Sequence, residues 1–410
     1  MMTKREGTHD FDQIGRQIAS HLEQGIRDGI FPGGICSLTV GSRPPIVVAR
    51  GHTSSGQQSR PVDADTIYDI ASLTKVVVTL PLVLLAVQQG RLSLNDPVVK
   101  HLPELEAGPD AEAKRRITLY HLLTHTSGLP AWRPYFLEGS GRAAYLSLIA
   151  AEALDGTPGG QVIYSDLGFM LLGFTLERVW DEDLDQLARR LLFSPLGMSM
   201  TAYKPLEALA EHAPRIAAAE QGNGYERDMA IRFLSERTDQ RSLDMLKRAA
   251  SFSWRQGTIC GTVHDCNAHY GLAGVSGHAG LFSTIADLER YMKIWTAETA
   301  PLLINPVLRQ FAARTHTSGC SPIQRALGWE ASPTGGTLEQ VVAGCSGGDL
   351  ISPAAFGHTG FTGTSIWHDP LRQATLITLT NRVHPTVSTE ILQWRRAHHN
   401  RIFALIMPCR

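Results

Sequence analysis

The sequence predicts an α/β (α+β) fold: an antiparallel sheet flanked by helices, with an inserted all-helical domain. Three observations lead there. Strand-like runs sit near both chain ends, "ICSLTV" and "PIVVARG" early, "TSIWHD" and "ATLITLTNRV" late. Between them, about residues 91–255, helical spacing dominates and strand patterns are scarce. After about residue 256 glycine becomes frequent and strand patterns return. A discontinuous sheet domain, 1–90 with 256–410, around a helical domain at 91–255 accounts for all three.

Each element has a local cause. Phe11, Ile14, Ile18, Leu22, Ile26 and Ile30 recur at helical spacing, and "FPGG" ends that helix. The two early strands are joined by "GSRP" as a hairpin, and the two late ones by "PLRQ". A strongly apolar helix begins near "TIYDIASLTK", with Gly90 as its C-cap. The middle carries helical patterns at 117–123 and in "AAYLSLIAAEAL", "LGFMLLGFTLERVW", "LDQLARRLLFSPL" and "DMLKRAASF". "TIADLERYMKIW" reads as a helix capped by Thr284, and "STEILQWRRAHHNRIFALI" as a terminal amphipathic helix.

Composition excludes several classes of function. The 410 residues are 43% apolar and 19% charged with a formal net charge of −1, a globular balance. No block of like charge offers nucleic acid or an anionic membrane a docking surface. Six scattered cysteines form no C-x-x-C pair, as expected for free thiols in a reducing compartment. The polar N-terminus shows no apolar signal region, and the run Val76–Val87 is too short to span a bilayer and contains Pro81. The expectation is a cytoplasmic protein with no membrane span.

Three motifs bear chemistry. Ser72 and Lys75 stand three apart, on one face of a helix start. A serine in the first turn has a free backbone N–H for an oxyanion, and a lysine buried among Val76, Val77 and Val78 could lose its proton and act as a base. The bland alternative is a capping serine with a lysine reaching solvent, and a lone S-x-x-K does not exclude it. The chain has only seven lysines, which makes one in an apolar setting worth noting. Second, Tyr164 precedes Ser165, Asp166 and an apolar helix; a phenol beside a lysine can relay a proton, or simply pack. Third, "GHTGFTGTSIW" places glycines where a ligand can approach the backbone, with His358 and Thr359 as polar side chains. "LLTHTSGLP" and "SGHAGLFST" are polar turns beside apolar helices. His264, Asp265, Cys266, His269 and His278 match no zinc spacing and are assigned structural roles, so no metal is expected.

Ser-x-x-Lys, then Tyr-Ser-Asp, then His-Thr-Gly, in that order, resembles the active-site elements of the penicillin-recognising serine hydrolases. The likeness is to the branch holding class C β-lactamases, DD-peptidases and related esterases, and it spans about residues 12–400. It implies a β-lactamase/transpeptidase-like fold, with the site in the cleft between the sheet and the helical domain. It also implies an acyl-enzyme on Ser72, with Lys75 and Tyr164 sharing base and acid roles. The N–H groups of Ser72 and Phe361 would form the oxyanion hole, and His358, Thr359 and Gly360 would face the substrate. It implies no cofactor. The partner is then a small molecule or short peptide, and pocket walls fall to loops in 130–160, 205–255 and 315–355.

Two positions depart from the pattern. Asp166 stands where many relatives have asparagine. A carboxylate only accepts hydrogen bonds and would favour a charged Lys75, shifting the base role to Tyr164. His358 stands where lysine is common, so turnover of an anionic substrate is expected to fall as His358 loses its proton near neutrality. The leading expectation is an amidase or carboxypeptidase acting on D-amino-acid or muropeptide-like substrates. A carboxylesterase comes next and a β-lactamase third. A non-catalytic binding module would have no need of Ser72, Lys75 and Tyr164 together.

Overall fold

The computed structural model describes residues 11–56, 59–297 and 303–406. Among the described residues, nine strands form two sheets. The strands are β1 Gly33–Val40, β2 Ile46–Gly51, β3 Tyr68–Asp69, β4 Ala202–Tyr203, β5 Leu281–Ser283, β6 Glu330–Ala331, β7 Phe356–Thr359, β8 Ser365–Asp369 and β9 Ala374–Thr380. The main sheet has the order β2-β1-β9-β8-β7-β6, every pair antiparallel. Its central pairing, β1 against β9, joins the two chain ends, with Ile35 opposite Leu379 and Leu38 opposite Leu376. Both predicted hairpins are present.

Alternation on β1 and β9 sends apolar residues to both faces. Cys36, Leu38, Ala374 and Leu376 meet Ile14, Ile18 and Leu22 of the helix Phe11–Arg27 and Trp394, Ile402 and Phe403 of the helix Ile391–Phe403. On the other face Ile35, Ile377 and Leu379 join a core that runs through Val76–Leu85 to Leu119, Leu122, Phe169 and Leu172. Sheet and helical segment therefore share one apolar core.

Residues 91–255 carry the expected helices, among them Arg142–Ala150, Asp166–Trp180, Gly224–Ser235 and Gln240–Ser251. The expectation of an all-helical stretch needs one correction: β4 lies within it and pairs with β5, which also pairs with β3. A two-residue strand is too short to show a period of two, so no pattern announced it.

The helix Ala71–Gln88 is long and apolar enough to cross a membrane, with mean hydropathy 1.8, but 83% of it is buried inside the protein. It opens with a single turn, Ala71–Leu73, and passes through a wide turn, Lys75–Thr79, in which the Leu80 N–H reaches back five residues to the Lys75 carbonyl. Pro81 explains the widening: its ring would collide with the carbonyl four residues before it. The loosened carbonyl of Val76 takes the Tyr291 hydroxyl, and Thr79 Oγ1 donates to the Gly277 carbonyl at 2.6 Å.

Candidate active site

Lys75 is fully buried, and its Nζ lies 3.0 Å from Ser72 Oγ, 3.0 Å from the His278 carbonyl and 2.7 Å from Asp166 Oδ1. Its ammonium also stands 5.0 Å from the centre of the Tyr164 ring and 5.8 Å from that of Phe169. Burial works against the charge on Lys75, but Asp166 and then Tyr164 outweigh it and hold the amine above the ordinary lysine value. Lys75 is therefore an ammonium at neutral pH, as the carboxylate at 166 leads one to expect.

Asp166 is the first residue of the helix Asp166–Trp180. Ser165 caps that helix, accepting the Gly168 N–H at 3.2 Å and donating to the Pro130 carbonyl at 2.7 Å. A carboxylate in a helix's first turn is also favoured by the helix dipole. Ser72, Lys75, Tyr164 and Asp166 are thus brought together by two helix starts.

His358 ends on β7 with its ring 5.9 Å from that of Tyr164. The expectation that it titrates near neutrality does not hold. Burial, then the charges of Arg325 and Lys75, push its imidazole well below the ordinary range, so it is neutral. Its Nδ1 lies 2.8 Å from the Thr359 carbonyl, which can only accept; Nδ1 therefore carries the proton, and Nε2 is left as a buried acceptor without a partner among the described residues. An anionic group gains no charge from His358.

Thr359 is half-buried at the strand end, and Gly360 turns the chain by donating its N–H to the Thr364 carbonyl at 2.8 Å. A Cβ at Gly360 would stand 2.1 Å from Thr364 Oγ1 and 2.4 Å from the Ile70 carbonyl, so only glycine fits. Phe361 follows, its ring 5.6 Å from that of His264, 5.3 Å from that of Tyr225 and 4.2 Å from the Arg382 guanidinium. Neither the Ser72 N–H nor the Phe361 N–H donates to another group among the described residues, as an oxyanion hole requires.

The sequence reading missed two residues here. His125 is buried in left-handed backbone (φ +58°), accepts the Ser165 N–H on Nδ1 at 3.0 Å and lies 4.4 Å from the Tyr164 ring. It sits in "LLTHTSGLP", a stretch already singled out. Arg325 places its guanidinium 5.2 Å from the Tyr164 ring centre, with Nε buried and unpartnered among the described residues. One arginine in a loop carries no spacing signal. The doubted metal group is spent within the fold: His264 bonds Glu220 at 2.8 Å, Asp265 pairs with His278 at 3.1 Å and the Cys266 N–H donates to Glu226 at 3.1 Å.

The chain is similar to known proteins in sequence and in fold. The β-lactamase family profile matches residues 18–401. A protein of Escherichia coli (strain K12) named "Putative D-alanyl-D-alanine carboxypeptidase" is 31% identical over 83% of this chain and 75% of its own. Among solved structures, a class C β-lactamase is similar over 99% of both chains (TM-score 0.69, 18% identity). The D-alanine carboxypeptidase AmpC from Burkholderia cenocepacia is similar over 96% of this chain and 99% of its own (TM-score 0.66, 22% identity). The fold is that of the class C β-lactamases, and the chain belongs to the β-lactamase family, as a serine hydrolase.

Proposed function

We propose that the protein hydrolyses an amide bond through an acyl-enzyme on Ser72, on a short peptide that ends in a D-amino acid bearing a free carboxylate. The Lys75 amine at 3.0 Å from Ser72 Oγ and 2.7 Å from Asp166 carries this reading. With Lys75 held as an ammonium beside it, Tyr164 acts as the phenolate: its oxygen takes the Ser72 proton and becomes a neutral phenol, and the ammonium offsets the negative charge that oxygen carries before the transfer. Ser72 Oγ attacks the carbonyl carbon, and the N–H groups of Ser72 and Phe361 receive the oxyanion. Tyr164 returns its proton to the leaving amine as the C–N bond breaks. Water then attacks the ester, losing its proton to Tyr164, and Ser72 departs reprotonated.

The carboxylate has a counterpart in Arg325, whose guanidinium is half-buried beside Tyr164 and His358 with its Nε unpartnered among the described residues. The name of the Escherichia coli relative supports the same substrate class. A second reading, a carboxylesterase, is favoured by Asp166. Engaged with Lys75, it offers no amide donor to a peptide carbonyl, which a simple ester does not require.

Intact mass after treatment with a fluorophosphonate, with wild type and Ser72→Ala side by side, tests the nucleophile. The expected result is one adduct on wild type and none on the variant. An adduct on folded Ser72→Ala, or none on wild type, overturns the assignment. Release of D-alanine from a D-alanyl-D-alanine peptide tests the substrate. Ester turnover without D-alanine release replaces the peptidase with the esterase.

A further inference from the structure

Asp69 lies three residues before Ser72, buried at the end of β3, and every acceptor it owns is in use. Oδ1 accepts the Ala71 N–H at 2.9 Å and Oδ2 accepts the His264 N–H at 2.8 Å. Its carbonyl accepts Thr362 Oγ1 at 2.6 Å, and the next carbonyl, of Ile70, accepts Thr364 Oγ1 at 3.2 Å. Both threonines belong to the turn that carries Phe361.

The bonded groups stand next to the two N–H groups read above as the oxyanion hole. Ala71, directly before Ser72, has φ +46°, a left-handed conformation that is strained for a residue with a Cβ and needs outside support. Asp69 supplies it by pinning the Ala71 N–H, and Thr74 Oγ1 holds the Ala71 carbonyl at 2.6 Å. On the other side the His264 ring stacks on Phe361 at 5.6 Å and 25° and is anchored by Glu220. One carboxylate thus ties the peptide before the first donor to the loop packed on the second.

We propose that Asp69 is a positioning residue for the oxyanion hole, fixing the separation of the Ser72 and Phe361 N–H groups by clamping the backbones of Ala71 and His264. This rests on the acyl-enzyme reading. Oxyanion donors act only when placed about 2.7–3.1 Å from where the charge develops, so their spacing matters in the transition state more than in the ground state. Asparagine at 69 accepts through one atom only and turns an N–H₂ toward the other backbone N–H.

The test compares wild type, Asp69→Asn and Asp69→Asn with Ala71→Gly, using a p-nitrophenyl ester for kcat and KM and an arylboronic acid as a tetrahedral adduct of the serine. Thermal unfolding is followed in parallel. For Asp69→Asn the expected result is a kcat about a hundredfold lower, a KM within about threefold of wild type, and boronate affinity reduced in step with kcat. Glycine at 71 adopts the left-handed backbone freely, so the double variant should regain part of kcat and of boronate affinity. If Asp69→Asn does not fold, Thr362→Val, which cuts the other tie to Asp69, should give the same selective loss. A kcat and boronate affinity within threefold of wild type in a folded variant, or a loss of kcat with boronate affinity kept, overturns the proposal. A wild type that binds no boronate and forms no phosphonyl adduct overturns the acyl-enzyme reading, and this inference with it.

Discussion

Lys75 shows how one neighbour reverses the effect of burial. Alone in its apolar setting the amine would lose its proton, which is how a base would be made; Asp166 at 2.7 Å keeps it charged. Its folded-state value lies above the unfolded one, so the pair contributes stability below about pH 10.4 and that contribution is lost as the pH rises past it. Asp166→Asn removes the counter-charge and leaves burial to dominate. Its Tm should then fall as pH drops from 9 to 6, while the wild-type Tm over the same range is insensitive to this pair. Equal pH dependence in both proteins would sink the argument. At His358 the sign is opposite. The unfolded imidazole binds a proton below about pH 6.5 and the buried one does not, so stability declines as the pH falls below that value. Being neutral throughout, His358 should leave KM for a carboxylate-bearing substrate flat from pH 5.5 to 8. Arg325→Ala should raise KM for that substrate about 10–100-fold while sparing its amidated analogue. A KM that climbs between pH 6 and 7 would return the anion to His358.

Among the elements, the helix Asp166–Trp180 depends on its cap. Ser165 satisfies the Gly168 N–H and ties the helix start to Pro130. Ser165→Ala should cost about 1–2 kcal/mol, read as a shift in the urea midpoint, with kcat falling because Asp166 and Tyr164 flank the cap. A variant with unchanged midpoint would show that the tertiary core alone sets this helix start. The turn after β7 has a different constraint. Gly360→Ala forces the turn away from the Ile70 carbonyl, and with it the Phe361 N–H. The expected result is a folded protein whose acylation by a fluorophosphonate slows by more than tenfold; wild-type acylation would show that the turn tolerates the displacement. The hairpins and caps were legible because turn chemistry is local: "GSRP", "PLRQ" and Thr284 sit where they were expected, and Gly90, in left-handed backbone, stands one residue past the C-cap Gln89. The second sheet, β3-β5-β4, was not, since strands of two or three residues leave no pattern.

For the whole molecule, the apolar core passes without a break from Ile377 and Leu379 of the sheet to Phe169 and Leu172 of the helical segment. Units that share a core lose it together, so thermal unfolding should be one cooperative transition, with calorimetric and van't Hoff enthalpies equal. Two resolved transitions would mean that the segment at 91–255 holds its own core. The helix Ala71–Gln88 lies at the junction. Its apolar composition, which by itself suits a membrane, is what allows one helix to be covered on all sides and still present Ser72 at its half-buried start.

The sequence by itself determined the main sheet's hairpins and most helices, and brought forward Ser72, Lys75, Tyr164 and Asp166 as candidates that the fold then gathers in one place, because periodicity, turn residues and motif order are written along the chain. Only the tertiary structure decided the charge of His358, the place of Arg325 and His125 beside Tyr164, and the tie from Asp69 to His264. These depend on burial and on contacts between residues far apart in sequence. Asp69 and His264 meet across 195 positions, and nothing in the order of the residues between them encodes a 2.8 Å hydrogen bond.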